Sequence, residues 1–127
     1  MIVIDASAIL AAILGESGGD VVFERMDEAL VSTVNVAEVY TYSAINALPV
    51  DAIDAFFADT GIEVALFDQQ QAVLAGQLAG VTRKAGLSLG DRSCLALAKI
   101  RGSDVLTADR PWEQVARAVG VKIVLLR

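Results

Sequence analysis

The 127-residue sequence predicts an α/β protein, a three-layer α/β/α sandwich in which helices cover both faces of a parallel sheet. Short apolar segments alternate along the chain with segments of helical character, and this alternation is typical of parallel sheets. Hydrophobic residues make up 55% of the chain and charged residues 20%, with no internal repeat and no linker. These values exclude a disordered chain, and the length fits one domain over residues 1–127.

The first half of the chain opens with a β-branched run that predicts a buried strand. Asp5 and Ser7 follow it, and either could cap the apolar helix that comes next. Pro49 and Gly61 end the two helices that precede the third strand. In order, the elements expected here are a strand at Ile2–Ile4, helices at Ala8–Leu14 and Asp20–Ala29, a strand at Leu30–Thr33, helices at Val34–Leu48 and Asp51–Asp59, and a strand at Ile62–Phe67.

The second half begins with Asp68, which opens a long helix rich in glutamine and alanine. Gly86 and Gly90 bracket a loop, and Pro111 starts the last helix. The elements expected here are helices at Asp68–Lys84 and Asp91–Arg101, a strand at Val105–Thr107, a helix at Pro111–Val119 and a strand at Val121–Leu125.

Composition narrows the possible chemistry. The chain has no histidine and a single cysteine, Cys94, which excludes a Ser-His-Asp triad, a disulfide framework and a cysteine-rich zinc site. No segment approaches the roughly 18 apolar residues of a membrane span. The N-terminus lacks a basic region and Asp5 interrupts its apolar run, so we expect no signal peptide, no membrane association and a cytoplasmic protein.

Charge is distributed unevenly along the chain. Residues 1–82 hold one basic and twelve acidic residues, whereas residues 83–127 hold nine basic and four acidic ones. Such an asymmetry can mark an anionic partner for the basic part, although solvated helix faces would produce the same pattern. Charge alone does not decide between the two.

Four carboxylates stand out because of their positions. Asp5 directly follows the first strand and Asp109 closely follows the fourth, and ligands of parallel sheets bind beyond the carboxyl ends of strands. Asp91 shares a helix face with small and apolar residues, and Glu38 lies in a mostly apolar stretch. Taken singly, each has an ordinary alternative, as helix cap, turn residue or exposed side chain.

Together these carboxylates predict a metal site. Clustered negative charges raise each other's pKa, and a hard divalent cation such as Mg²⁺ or Mn²⁺ removes that penalty. Without histidine, a metal-activated water is the natural nucleophile for hydrolysis, for example of a phosphodiester. Ser7 and Thr107 could orient the carboxylates or waters as neighbouring hydroxyls.

Four segments then resemble one family. MIVIDASA at residues 1–8, NVAEVY around Glu38, LSLGDRSCLALAK at residues 87–99 and VLTADRPW at residues 105–112 are similar to PIN domains, and more narrowly to VapC-type toxins of toxin–antitoxin pairs. The resemblance extends over the whole chain and fits the order and spacing of all four acidic positions. The segments around Asp91 and Asp109 are the most specific.

The resemblance implies a Mg²⁺- or Mn²⁺-dependent endoribonuclease with Asp5, Glu38, Asp91 and Asp109 at its catalytic site. Asp5, Asp91 and Asp109 would bind metal, and Glu38 would be a ligand or a base that positions water. It also implies a five-stranded parallel sheet in the order 3-2-1-4-5, a homodimer, an RNA substrate and a cognate antitoxin protein.

The sequence departs from the family in one place. Similar toxins often carry an arginine about one turn after the helical glutamate, where this chain has Thr41, Tyr42 and Ser43. Cations that contact substrate would then come from the basic part of the chain. The candidates are Arg83, Lys84, Arg92 and Arg110.

Three other readings compete with the toxin. An aspartyl phosphatase would need a second aspartate where the chain has Ser7. A receiver domain would need an acidic pair near Asp5 and a lysine near Asp109, and the chain has neither. The remaining alternative is a catalytically silent PIN-like module that binds protein. A missing carboxylate would favour that module, and none is missing.

Overall fold

A computed structural model describes all residues from Met1 to Arg127 and contains one five-stranded parallel sheet. The strands are β1 (Ile2–Ile4), β2 (Ala29–Ser32), β3 (Glu63–Ala65), β4 (Asp104–Thr107) and β5 (Ile123–Leu125). Their order is β3-β2-β1-β4-β5, which confirms the α/β class and the expected order. β1 at the centre and its neighbour β4 are the strands that Asp5 and Asp109 follow.

Eight α-helices connect these strands. They are α1 (Ala6–Leu14), α2 (Gly19–Glu24), α3 (Thr33–Asn46), α4 (Val50–Thr60), α5 (Gln69–Gln77), α6 (Ala79–Thr82), α7 (Leu89–Arg101) and α8 (Ala116–Val119). Short 3₁₀ turns follow α2 and α6 and precede α8. None of the helices is both long and apolar enough to span a membrane.

Two hydrophobic cores lie on opposite faces of the sheet, as a three-layer sandwich requires. Alternate residues of β1 divide between them, because successive side chains of a strand point to opposite faces. Ile2 and Ile4 pack with α1, α3 and α4 in one core. Val3 packs with α5, α7 and Trp112 in the other.

Two of the predicted helices are shorter than expected. The helix expected at Asp20–Ala29 ends at Glu24, because Ala29 belongs to β2 and pairs with Ile2 of β1. The helix expected at Asp68–Lys84 is divided at Leu78 into α5, α6 and a 3₁₀ turn. Gly76 and Gly80, both weak helix formers, flank that division.

Two further boundaries correct the sequence interpretation. Gly90 lies inside α7 rather than in a loop, because Ser88 is the N-cap and Asp91 is the third residue of the helix. The helix expected at Pro111–Val119 begins as a 3₁₀ turn and becomes α-helical only at Ala116.

The buried face of α7 provides a test of the packing. Leu97 is fully buried in the core beneath this helix, whereas Leu89 in the same helix is 55% exposed. We expect Leu97→Ala to lower the free energy of unfolding by about 2–5 kcal/mol, since it leaves a cavity. Leu89→Ala is the matched control and should change it by less than about 0.5 kcal/mol in urea denaturation. Equal losses for both variants would contradict this packing.

Candidate active site

The candidate site begins at the carboxyl ends of β1 and β4. These two strands pair in parallel with Ile4 opposite Leu106. The residues that follow, Asp5 and Thr107, therefore lie side by side, and the Thr107 hydroxyl donates a hydrogen bond of 2.8 Å to Asp5 Oδ2. Asp109 comes two residues later, so strand register brings both aspartates to one edge of the sheet.

Asp5 is both a helix cap and a buried site residue. It is the N-cap of α1, and its Oδ1 accepts the backbone N–H of Ala8 at 2.9 Å. The expectation that Ser7 could cap this helix instead is wrong, because Ser7 lies inside the first turn. The Ser7 hydroxyl donates to Asp5 at 2.8 Å and 2.9 Å from its two carboxylate oxygens. With 4% of its surface exposed, Asp5 is held in a single position.

The two hydroxyls also connect Asp5 to the turn that carries Asp109. Ser7 Oγ accepts the N–H of Ala108, and Thr107 Oγ1 accepts the N–H of Asp109, both at 3.0 Å. Each hydroxyl thus gives its proton to Asp5 and accepts a backbone N–H with its oxygen. This geometry is consistent with the role predicted for Ser7 and Thr107 as neighbouring hydroxyls that orient the carboxylates.

Two helices supply the next two carboxylates. Glu38 is half-buried on α3, and its Oε1 accepts a hydrogen bond of 2.6 Å from Asn35 Nδ2. Asp91 is half-buried in the first turn of α7, where its Oδ2 accepts the N–H of Ser88 at 2.8 Å and completes a capping box. A capping role and a site role therefore coexist in Asp91.

Asp109 is anchored by the only tryptophan of the chain. Trp112 is fully buried in the core, and its indole N–H donates to Asp109 Oδ2 at 3.0 Å. Trp112 therefore packs against the sheet and reaches the site only through its N–H. One oxygen of each helix or turn carboxylate remains without a protein partner. These oxygens are Glu38 Oε2, Asp91 Oδ1 and Asp109 Oδ1.

Burial dominates the electrostatics of the site. Removal of Asp5 from water raises its pKa from 3.8 to about 6, although the Ala8, Thr107 and Ser7 hydrogen bonds partly offset that rise. Burial also raises the pKa of Glu38 and of Asp91. Repulsion adds to these shifts, since the Asp91 charge raises the pKa of both Asp5 and Glu38.

The four carboxylates line one pocket of about 420 Å³. Its other walls come from the start of α1 and from one side of α3. No lysine or arginine lines it. The one cation that acts on the cluster is Arg92, outside the pocket, which slightly offsets the raised pKa of Asp91. The remaining lining residues are Ala6, Ser7, Leu10, Thr41, Tyr42, Ile45 and Asn46.

The structure does not bring the predicted substrate-binding arginines into this pocket. Arg92 donates to the backbone carbonyl of Ala75 at 2.9 Å, on the side of α7 that faces α5. Arg110 is exposed and donates to the Arg127 carbonyl at 2.8 Å, and Arg83 is exposed on a 3₁₀ turn. A contact between any of them and substrate stays a prediction.

Two residues at the site were not predicted from the sequence. Asn35 is 1% exposed and contacts Glu38, and Gly90 lies against the Glu38 carboxylate. Asn35 precedes Glu38 by one helical turn, a spacing that places both on one face, and this was the only signal available. Nothing local to Gly90 indicates its neighbour, because Gly90 and Glu38 belong to different helices.

The residues of the pocket fit a divalent cation in their chemistry. They offer carboxylate oxygens, the ligands that Mg²⁺ and Mn²⁺ prefer, and no basic side chain lines the pocket to neutralise them. In the arrangement shown, however, no three acidic or cysteine side chains already stand as a ready-made set of metal ligands. Glu38, Asp91 and Asp109 each turn one oxygen towards an N–H donor of the protein. Ligation by Asp5, Asp91 and Asp109 therefore stays a prediction.

Sheet order and pocket together define a class: a parallel α/β protein with an acidic site at the carboxyl edge of its central strands. The PIN domain model matches residues 2–118. The chain is 32% identical over 114 residues to Ribonuclease VapC42 of Mycobacterium tuberculosis, covering 82% of this chain and 87% of that protein. The same values hold for VapC ribonuclease Mb2780c of Mycobacterium bovis. The chain belongs to the PIN domain family.

Solved structures support the same fold. The DNA-bound VapBC of Salmonella typhimurium aligns with a TM-score of 0.75 at 17% identity, over 99% of this chain and 98% of that one. VapBC2 of Rickettsia felis, bound to a promoter fragment, aligns with a TM-score of 0.76 at 14% identity, over 98% of each chain. At these identities the likeness establishes the fold.

The raised pKa of Asp5 makes stability depend on pH. The folded protein holds the Asp5 proton up to a pH of about 6, whereas the unfolded chain releases it near 3.8. The folded state therefore binds more protons between these values, so stability falls as the pH rises through this window. We expect Asp5→Asn to be more stable than the wild type at pH 7.5 without metal, by at most about 3 kcal/mol. The difference should vanish near pH 4 in urea denaturation with EDTA.

The control for this prediction is Asp27→Asn, at an exposed residue of a 3₁₀ turn. It should follow the wild type at both pH values. Lower stability of Asp5→Asn at pH 7.5 would show that the hydrogen bonds to the Asp5 carboxylate outweigh the cost of its burial.

Proposed function

We propose that this protein is a Mg²⁺- or Mn²⁺-dependent endoribonuclease that acts as the toxin of a toxin–antitoxin pair. The observation that carries this proposal is the meeting of four carboxylates, from four separate elements, in one pocket without a basic residue. The ribonuclease names of relatives that are 32% identical support the choice of nuclease. We also propose that residues 1–127 form a single PIN domain, since one sheet includes strands from both ends of the chain.

We propose the metal dependence because four carboxylates share a pocket that no basic side chain lines. Burial and mutual repulsion raise the pKa of three of the four carboxylates, which is the condition that a divalent cation relieves. We propose that Asp5, Asp91 and Asp109 would hold the cation. When bound, it would neutralise these carboxylates and polarise the phosphodiester and the attacking water.

Asp5 and Glu38 would have different roles in the reaction. Asp5 is fixed by three donors and cannot turn away from the pocket. Glu38 has a raised pKa and a free Oε2, so it would accept the proton of the attacking water more readily than an ordinary glutamate near neutral pH. Water would add its oxygen to the phosphorus while the bond to the leaving ribose oxygen breaks, and that oxygen would take up a proton from solvent to leave as a hydroxyl.

RNA as the substrate class fits the wall of the pocket. Thr41, Tyr42 and Asn46 present hydroxyl, aromatic and amide groups, and Leu10 and Ile45 add apolar surface. Unstacked bases of single-stranded RNA bind such surfaces by stacking and by hydrogen bonds at their edges. Because no arginine lines the pocket, phosphate attraction would come mainly from the cation.

Protein partners complete the proposal. The related folds include VapBC complexes of Salmonella typhimurium and Rickettsia felis, so we propose a cognate antitoxin for this chain. We also propose a homodimer. Large apolar side chains outside the pocket, such as Leu66, 76% exposed, and Phe23, 51% exposed, are the kind of surface that protein interfaces cover.

The first test is cleavage of a mixed pool of structured RNAs in Mg²⁺, in Mn²⁺ and in excess EDTA. We expect the wild type to cleave in either metal and to lose activity in EDTA, since the pocket has no other electrophile. Asp91→Asn should lower the cleavage rate by at least about 100-fold. Asp27→Asn, at the opposite edge of the sheet, is the matched control and should cleave normally. Folded wild type that leaves every RNA intact would favour the protein-binding module.

Metal binding can be measured without RNA. We expect Mn²⁺ to raise the thermal midpoint of the wild type at pH 7.5, because a ligand that binds only the folded state stabilises it. At 100 times the dissociation constant the gain is about 2.7 kcal/mol. Asp91→Asn should show little of this gain, whereas Asp27→Asn should show all of it. A shift of equal size in Asp91→Asn would place the cation elsewhere.

A further inference from the structure

Asn35 lies between the proposed catalytic glutamate and the helix that carries Asp91. Its side-chain amide donates to Glu38 Oε1 at 2.6 Å and to the Gly90 carbonyl at 3.1 Å. Asn35 is 1% exposed, so its bond to Gly90 is buried, whereas the bond to the half-buried Glu38 is only partly shielded from water. One buried amide thus fixes the Glu38 carboxylate with respect to the first turn of α7.

Gly90 provides the surface on which that carboxylate rests. A Cβ atom at Gly90 would overlap Glu38 Oε2 and lie only 2.5 Å from Oε1, closer than real Cβ atoms approach other atoms. The Glu38 carboxylate therefore occupies the space that a side chain at position 90 would fill. Gly76, also in a helix, has nothing within 4 Å of such a Cβ.

The two acceptors of the Asn35 amide, Glu38 Oε1 and the Gly90 carbonyl, determine its orientation. Its Oδ1 is buried and accepts no hydrogen bond, which is unfavourable for a buried polar atom. Rotation of the amide by 180° would place that oxygen against two other oxygens, of Glu38 and Gly90, and would be worse. Asn35 thus leaves its own Oδ1 without a partner while its Nδ2 donates to Glu38. Packing of α3 against α7 would not by itself require a buried amide at this position.

We infer that Asn35 and Gly90 are positioning residues that hold the Glu38 carboxylate for catalysis. A glutamate side chain has three rotatable bonds, and without restraint it would spread over several rotamers. The amide fixes Oε1 and the bare glycine fixes the plane of the carboxylate, while Oε2 stays free of protein donors. This inference rests on the proposed nuclease function, since it assigns no reaction of its own.

Gly90→Ala is the sharpest variant, because the atoms it displaces are the end of a flexible side chain rather than backbone. We expect the kcat for RNA cleavage to fall by about 100-fold, the effect of moving a catalytic group by about 1 Å. KM should stay within about twofold and the thermal midpoint should not fall, since alanine is a better helix former than glycine. Gly76→Ala is the matched control and should keep the wild-type kcat.

A double-mutant cycle separates positioning from a general structural effect. If Gly90→Ala acts through the Glu38 carboxylate, adding it to the Glu38→Gln variant should lower kcat by less than about twofold. Asn35→Leu, which removes both the donors and the unpartnered oxygen, should lower kcat in the same way and should also depend on Glu38.

A readout without substrate comes from the Asn35 side-chain amide in ¹⁵N-resolved NMR spectra. One of its protons should resonate downfield because of the short bond to a carboxylate, and Gly90→Ala should return it to an ordinary position. Gly90→Ala that keeps the wild-type kcat, or that loses 100-fold in the Glu38→Gln background too, would overturn the inference. Inactivity of the wild type itself would instead overturn the proposed function, and the inference with it.

Discussion

The buried charge of Asp5 is the constraint on which the rest of the site depends. A carboxylate with 4% exposure is unfavourable unless donors surround it, and three groups supply them: the first turn of α1, Ser7 and Thr107. The same two hydroxyls accept N–H groups from the turn at Ala108 and Asp109. The position of the second aspartate is thus set by the groups that solvate the first. These donors only partly offset burial, and the remaining penalty makes the pocket a place where a cation would be favourable.

The parallel sheet makes this arrangement possible because it brings distant residues to one edge. β1 and β4 are neighbours although about a hundred residues separate them, and both run towards the pocket. The helices that supply Glu38 and Asp91 pack against opposite faces of that sheet layer and meet through the Asn35 amide. Each carboxylate is therefore held by a different element, and no single loop could distort the whole set.

Much of this could be read from the sequence, and the rest depended on contacts between distant segments. β-branched residues in Ile2–Ile4 predict a strand with the correct bounds, and an aspartate directly after it must lie at the sheet edge. The sequence cannot show that Ala29 pairs with Ile2, so the end of α2 was misplaced. Asn35 was overlooked because its partners are a carboxylate on its own helix and a carbonyl on another. Glycine at positions 86 and 90 predicts a loop, and only the Ser88 cap shows that Gly90 belongs to α7.

The uneven charge of the chain illustrates how a sequence pattern can be correct while its interpretation is incomplete. The basic residues of 83–127 suggested an anionic partner, yet several of them bind backbone carbonyls of the protein itself. Lys99 Nζ donates to the Val119 carbonyl at 2.6 Å, and Arg92 and Arg110 bind the Ala75 and Arg127 carbonyls. The Val119 and Ala75 carbonyls lie in the last turns of α8 and α5, where a cation satisfies free acceptors, and this is a structural use of charge. No basic side chain lines the acidic pocket itself, so its four carboxylates would attract phosphate only with a divalent cation between them. The same cation that relieves the burial of Asp5 would thus also decide whether RNA binds.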